Sequence, residues 1–443
     1  MSQVLYSAAV DEFVDGHVEE LVEVVRTLVS FDTTSVDLSP DSRHTENEEA
    51  ALQAYVAKVL EGIDAEVDQW EPDPAEFRGH PMMPPWHHWR NRPLTVGTLQ
   101  GAGGGRSLVV NGHIDVVSPG DESNWASPPF GAEIRDGRIY GRGACDMKGG
   151  VGAALFALKA LHASGVALAG DVCFEAVPDE ETCAMGTNAA IARGYRGDAG
   201  LVPEPTRFNM WVATRGLLHG TLSVEGRSAH AEMNQPPWEE GGGVNAIQKA
   251  AYLLGALDGL SEEWASRASK RHLLLGTPSV NPTEISGGTF ISNVPERCDV
   301  ALNTTYLPGD ADGAGYGSVP RGEIEHTVAE AAGQDGWLAA HPPRWSWYTD
   351  YPPSEIDQES PILGVVQSAG RELGVEVELE GIDTTYDGAL LTLFAGTPSP
   401  AFGPGDLRRA HAPDEWVGVD ELVLAAKLYA RAIVAWCGLA EAA

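Results

Sequence analysis

The chain has 443 residues, 43% of them hydrophobic, which exceeds what one hydrophobic core usually organises and predicts two domains. Its 64 acidic residues outnumber 29 basic ones, and the resulting net charge of -35 repels polyphosphates and anionic lipid, so nucleic acid and membrane surfaces are excluded as partners. No run approaches the roughly 18 apolar residues that span a bilayer, and solubility or adaptation to salt accounts for the acidity.

From the N-terminus, the stretch MSQVLYSAAVDEFVDGHVEELVEVVRTLVS lacks a basic leader and carries acids through its apolar pattern. It predicts an amphipathic helix, not a signal peptide, and a cytoplasmic protein. Residues Glu71 to Pro93 include MMPPWHHWRNRP, which has no period and reads as an ordered loop. Its His87 and His88 are read as packing or surface residues in preference to metal ligands. Next, SLVVNGHIDVV, VGAALFALKALHASG, DVCFEAVPDEE, TNAAIARGY and AGLVPEP alternate strand-like and helical patterns. This alternation predicts an α/β domain with a mostly parallel sheet, whose ligand sites gather at strand C-termini.

Between Arg215 and Tyr351 the texture changes. LLHGTLSVEG, a helix at VNAIQKAAYLLGALDGL, TEISGGTF, RCDVALNTTYL, a helix near GEIEHTVAEAAG and PRWSWYTDY give the order β-α-β-β-α-β of a ferredoxin-like unit. Then ILGVVQSAGREL, SPAFGPGD and ELVLAAKLYARAIVAWCG return to helix, strand and helix. The expected layout is a catalytic domain of residues 1–214 and 352–443, interrupted by an inserted α+β domain of residues 215–351. The five cysteines, Cys145, Cys173, Cys183, Cys298 and Cys437, form no CxxC pair and fit neither a disulfide framework nor a zinc knuckle.

The chemistry-bearing residues fall at the strand ends. In a strand, residues i and i+2 share a face, so Asp115 can hold the imidazole of His113 from behind. Asp146 sits in GRGACDMKGG between flexible glycines, free to turn both oxygens toward an ion pair. The adjacent Glu180 and Glu181 repel unless one is metal-bound or protonated. Glu204 in VPEP and His411 in RRAHAPDEW complete a set of carboxylates and imidazoles without thiolate, the donors of a hydrolytic zinc, cobalt or manganese centre. Two ions about 3.5–4 Å apart need a bridging carboxylate, and Asp146 is the natural bridge. Singly, each residue has an ordinary explanation as strand-end polarity, a turn or a solvated acidic loop.

Together, GHIDVV, GRGACDMKGG, PDEE, PEPT, GRSAHAE, SNVP and FGPGD…AHAPDE occur in the order that resembles the M20 metallopeptidase and deacylase family, which includes acetylornithine deacetylase and succinyl-diaminopimelate desuccinylase. The resemblance covers nearly the whole chain. It implies a zinc-peptidase-like domain with a ferredoxin-like lid, through which two copies pair as a homodimer. It implies two divalent ions, zinc with cobalt or manganese as alternatives: one held by His113, Asp146 and Glu204, the other by Asp146, Glu181 and His411. Asp115 would then support His113, Glu180 would be the general base, and His230 would reach a neighbouring subunit's site to stabilise the oxyanion. The Asp146–Met147 peptide is expected to be cis.

One departure bears on the substrate. Where many family members carry a carboxylate-gripping arginine, this chain aligns Thr305. Asn293 remains, and Arg215 or Arg297 are the available substitutes. An acylated amine without a nearby carboxylate, such as a formylated or acetylated heterocyclic amine, therefore becomes an option. Thr385, Tyr386 and Asp387, with Gly403 and Gly405, are expected to line the leaving-group pocket. The first reading is removal of an acetyl, formyl or succinyl group from a small-molecule amide. A dipeptidase or carboxypeptidase using the same centre is the runner-up. A non-catalytic dimeric binding module is disfavoured, because such a module has no use for Glu180.

Overall fold

The computed structural model describes residues 3–35, 47–84, 87 and 89–440. His88 lies outside them. The N-terminal amphipathic stretch forms two helices, Gln3–Gly16 and Val18–Ser30, because His17 leaves the helical region at φ -128°. In the second, Leu21, Val24, Val25, Leu28 and Val29 are buried, the i, i+3, i+4, i+7, i+8 stripe of a helix facing a core.

A five-stranded sheet runs in the order Glu66–Trp70, Leu94–Leu99, Val172–Val177, Leu108–His113, Ala199–Leu201. It is mixed. The last three strands are parallel, whereas Leu94–Leu99 pairs antiparallel with both its neighbours. The first two strands and the helix Glu49–Glu61 went unread in the sequence. The parallel register pairs His113 with Val177, so the C-terminal ends of these two strands lie side by side. Helices Lys148–Ala163 and Val419–Cys437 pack on each other beside this sheet, and the first is almost wholly buried. That burial explains its Ala- and Gly-rich sequence. SPAFGPGD, read as a strand, contributes isolated bridges from Ala401 to Val202 and Trp211 and from Asp406 to Thr206, and its two prolines have no N–H to extend a ladder.

The second sheet has four antiparallel strands in the order Ser279–Gly287, Arg297–Tyr306, Gly216–Glu225, Arg344–Tyr351. Along Gly216–Glu225 burial alternates residue by residue, the period-2 pattern of a sheet with one covered face. Helices Ala246–Ser266 and Ser318–Gly333 join a core of their own with Leu222, Val224, Val300, Ile324 and Trp264. At one edge, Ile285 is 53% exposed and the following Phe290 and Ile291 are 65% and 93% exposed. Short strands Met210–Thr214, Ser354–Glu355 and Leu379–Ile382 form a third sheet where the chain enters and leaves the second. Among the described residues, no helix is long and apolar enough to cross a membrane.

Candidate active site

His113 is the last residue of its strand, and Glu180 and Glu181 follow the neighbouring parallel strand by a tight turn. Glu204 follows the third parallel strand at Leu201. Its approach to the helix Lys148–Ala163 is so close that a Cβ at Gly150 would lie 1.9 Å from the Pro203 carbonyl oxygen. Asp146 precedes that helix, joined to Met147 by a cis peptide, and His411 enters from the C-terminal part of the chain at φ +57°.

These residues form two trios that share Asp146: His113, Asp146 and Glu204, and Asp146, Glu181 and His411. Within each trio one donor atom from every residue lies within 4.8 Å of the others. Asp146 turns its two oxygens to opposite sides, Oδ1 lying 3.2 Å from His113 Nε2 and Oδ2 3.6 Å from His411 Nε2. His411 Nε2 is also 3.3 Å from Glu181. The buried Glu415 carboxylate holds Asp146 in place: Oε1 accepts from the amides of Cys145 and Asp146 at 2.8 and 3.0 Å. Its Oε2 accepts from the Gly143 amide at 3.1 Å and from Arg142 at 2.5 Å. Glu415 was not singled out in the sequence, although it stands four residues beyond His411 in the same motif.

The imidazole of His113 is fixed differently from expectation. Its Nδ1 donates to the Asp115 backbone carbonyl at 3.0 Å, while the Asp115 carboxylate is 3.7 Å away. The carboxylate instead accepts from the amides of Glu180 and Glu181, each at 3.1 Å, and from Ser35 Oγ at 2.5 Å. Those amides sit nearer the carboxylate than the ring does. A carbonyl oxygen only accepts, so Nδ1 carries a proton, and Nε2 faces the Asp146 carboxylate as an N–H donor in the cationic ring or, once that proton leaves, as an electron pair for a cation. Two lone pairs face each other there unless a cation or a proton stands between them. The donor set therefore fits divalent cations.

Charge tells the same story. Burial raises Glu180 and Glu204 well above the usual carboxylate range, and each is pushed further by neighbouring carboxylates. Burial also raises Glu181, with Asp146 adding to the effect. Burial opposes charge on His113, yet its hydrogen bond to Asp146 and the nearby Glu180 and Glu204 hold its pKa well above the ordinary value. Buried acids packed this closely ionise together only when positive charge is supplied.

The trios open into a cavity of about 440 Å³ whose walls include Glu180, Thr182, Trp211, Leu217, His219, Tyr351, Thr384, Thr385, Tyr386 and Leu407. Thr385 and Tyr386 are thus placed as expected. Several other expected pocket residues are elsewhere. Thr305 hydrogen-bonds to Ser279 between strands, Asn293 is exposed, and Asp387 is buried against Thr187 at 2.7 Å. Gly403 and Gly405 instead press on the segments that carry Glu204 and Asp146: a Cβ would lie 2.6 Å from the Glu204 carbonyl at Gly403 and 2.7 Å from the side-chain sulfur of Cys145 at Gly405. Arg215 is engaged with the Leu275 carbonyl and with Asp383 at 3.1 Å, and Arg297 with Asp299 at 2.6 Å. Neither lines the cavity. His230, 55% exposed, pairs with Glu232 and lies outside this chain's cavity lining. Trp211, Leu217, His219 and Tyr351 were missed, because a strand-end residue announces its type but not which face of which sheet it occupies.

The family described as Peptidase family M20/M25/M40 matches residues 109–435. N-formyl-4-amino-5-aminomethyl-2-methylpyrimidine deformylase of Halalkalibacterium halodurans is 32% identical over 445 residues, covering 97% of this chain and 97% of that one. The Bacillus subtilis protein of the same name is 28% identical over 455 residues and 99% of both chains. Among solved structures, aminopeptidase PepT from Bacillus cereus superposes with a TM-score of 0.69 at 18% identity, covering 95% of this chain and 99% of that one, a likeness of fold.

Proposed function

Because the chain belongs to the peptidase family M20/M25/M40 and is a metal-dependent hydrolase of amide bonds, we propose that it removes a formyl or similarly small acyl group from an amine carried on a neutral heteroaromatic ring. One observation carries this reading: among the described residues the cavity lining contains no lysine or arginine, but does contain Trp211, His219, Tyr351 and Tyr386. A dipeptide, a C-terminal peptide or a succinylated amino acid brings a carboxylate that needs a cation. The substrates in the relatives' names, N-formylated aminopyrimidines, bring a flat neutral ring.

In this reading two divalent ions, zinc in the first place, are held by His113, Asp146 and Glu204 and by Asp146, Glu181 and His411. When bound, such ions acidify water toward neutral pH and polarise the amide carbonyl. Glu180, held beside the trios by the hydrogen bond its backbone amide donates to the Asp115 carboxylate, takes the proton of the attacking water. It then gives that proton to the leaving amine nitrogen. Thr182, Trp211 and the Thr384–Tyr386 segment orient the ring and keep bulk water from the reacting carbonyl.

The chain divides into a catalytic unit of residues 1–214 and 352–443 and an inserted unit of residues 215–351, in keeping with the separate core of the four-stranded sheet. Ile285, Phe290 and Ile291, exposed at the edge of that sheet, support pairing of two copies there. His230 of one copy would then stabilise the oxyanion in the other. A cytoplasmic location agrees with five cysteines that are all free thiols and buried.

The test is amine release from formyl, acetyl and succinyl amides and from dipeptides, with metal-loaded wild type and Glu180→Gln. Hydrolysis of a formylated aminopyrimidine, lost in the variant while both metals stay bound, is expected. Faster cleavage of dipeptides or of succinyl-diaminopimelate would overturn the substrate assignment. Undiminished turnover by Glu180→Gln would remove it from the base role.

A further inference from the structure

Two described residues of the Pro- and Trp-rich loop that the sequence left without a purpose, His87 and Arg92, lie against Asp179 in the turn carrying Glu180 and Glu181. The loop is stapled to itself and to the end of the preceding strand: Trp89 Nε1 donates to the Arg92 carbonyl at 2.9 Å, and the Arg92 amide to Glu71, the residue after the strand Glu66–Trp70, at 3.2 Å. From this loop the Arg92 side chain, 1% exposed, enters the interior. Its Nε and Nη2 donate to the two oxygens of Glu49 at 2.7 and 2.8 Å, a two-pronged pair at the start of helix Glu49–Glu61. Its Nη1 donates to Asp179 Oδ1 at 2.5 Å. His87 Nε2, from the same loop, lies 3.3 Å from that oxygen.

Asp179 is the residue before the glutamate pair, and its backbone is left-handed at φ +79°. Few non-glycine residues hold that conformation unless their surroundings impose it. Here they do. The Asp179 carbonyl accepts from the amides of Cys183 and Ala184 at 3.0 and 2.6 Å. Its carboxylate accepts from Thr182 Oγ1, from Cys183 Sγ at 2.9 Å and from the Met185 amide at 3.4 Å. On the other side, Asp115 holds the amides of Glu180 and Glu181.

His87, Asp179 and Cys183 also satisfy the spacing of a metal trio. That reading fails on charge and coordination. The guanidinium of Arg92 already occupies the cation's place at Asp179, and the Cys183 sulfur is a donor to the carboxylate rather than an electron-pair ligand. The cluster is closed by protein groups.

The geometry points to Arg92, clamped by Glu49 and assisted by His87, as a positioning residue: it locks the left-handed turn at Asp179 and so aims Glu180 at the reacting water and Glu181 at its metal. This rests on the reading of Glu180 and Glu181 given above. A structural support that merely filled space would be replaceable by any residue preserving stability. A positioning clamp needs the planar fork, because a lysine keeps the charge but spans only one of the two carboxylates at a time.

The experiment compares wild type, Arg92→Lys, the paired Arg92→Met/Glu49→Gln, and Glu180→Gln, using kcat, KM, Co²⁺ titration and thermal unfolding. The paired variant removes Glu49 together with Arg92, which proteins tolerate better than stranding one charge, and leaves Asp179 with His87, Thr182, Cys183 and the Met185 amide. Expected for whichever Arg92 variant folds are a kcat lowered about 10–100-fold, a KM within about threefold, and about tenfold weaker binding of one Co²⁺. Turnover and Co²⁺ affinity both within twofold of wild type in a folded variant would overturn the proposal, as would losses that vanish on cooling in step with regained structure. Glu180→Gln separates the two ideas. If it retains turnover, the base reading falls, while a Co²⁺ site loosened by Arg92→Lys still upholds the aiming of Glu181.

Discussion

Replacing Glu415 by glutamine is expected to test how firmly the buried acid under Asp146 supports the molecule. The carboxylate is 1% exposed and Arg142 opposite it 3% exposed, 2.5 Å apart, and three backbone amides point at the same two oxygens. Glutamine keeps the shape but removes the charge and turns an NH₂ toward groups that only donate. Breaking a buried pair by neutralising one partner costs about 3–5 kcal/mol, because the other charge is left uncompensated. At roughly 2 °C per kcal/mol for a large chain, the midpoint of thermal unfolding should fall by about 6–10 °C. Far-UV circular dichroism of chelator-treated protein at pH 7 measures this without a contribution from bound metal. Activity should fall as well, since Asp146 loses one of the acceptors that fix its backbone. A midpoint lowered by less than about 2 °C would show that Arg142 and the amides find other partners, and would refute this account of the Asp146 loop.

Other perturbations read the site from different directions. Chelation is expected to abolish amine release, and restored Zn²⁺ or Co²⁺ to recover it; activity persisting after dialysis against a chelator would exclude the dinuclear account. Trp211→Leu should raise KM for a heteroaromatic amide about tenfold, the scale of one lost stacking contact, with little change in kcat. Arg297→Met should leave KM within about twofold, because Arg297 is spent on Asp299 and lies outside the cavity. Asp406 supplies a pH signature. Hydrogen bonding from Arg408 lowers its pKa to about 2, so its stabilisation is complete above the unfolded value near 3.9 and is lost as pH falls toward 2. The stability gap between wild type and Asp406→Asn in urea should therefore narrow between pH 6 and pH 3, and a gap that widens would contradict it.

Much of the site was legible in the sequence for a simple reason. A doubly covered sheet delivers the residues just beyond its parallel strands to one edge, and His113, Glu180, Glu181 and Glu204 each stand at such an end. Residue type supplied the rest, since carboxylates and imidazoles without thiolate have few shared uses. The ferredoxin-like order from Gly216 to Tyr351 was readable because period-2 and period-3.6 patterns alternate cleanly there. Local signals could not say where a side chain points once strands from distant segments meet. Trp211 and Tyr351 reach the cavity by the crossing of two sheets, and Thr305 turns away from it because its hydroxyl is taken by Ser279 on the next strand. The Asp115 carboxylate stands 3.7 Å from His113 and accepts from amides supplied by a turn some 65 residues later. The role of the MMPPWHHWRNRP loop was hidden most completely. Arg92 gains its meaning only where folding encloses it between Glu49 and Asp179, residues 43 and 87 positions away, in a space where an unpaired charge could not remain.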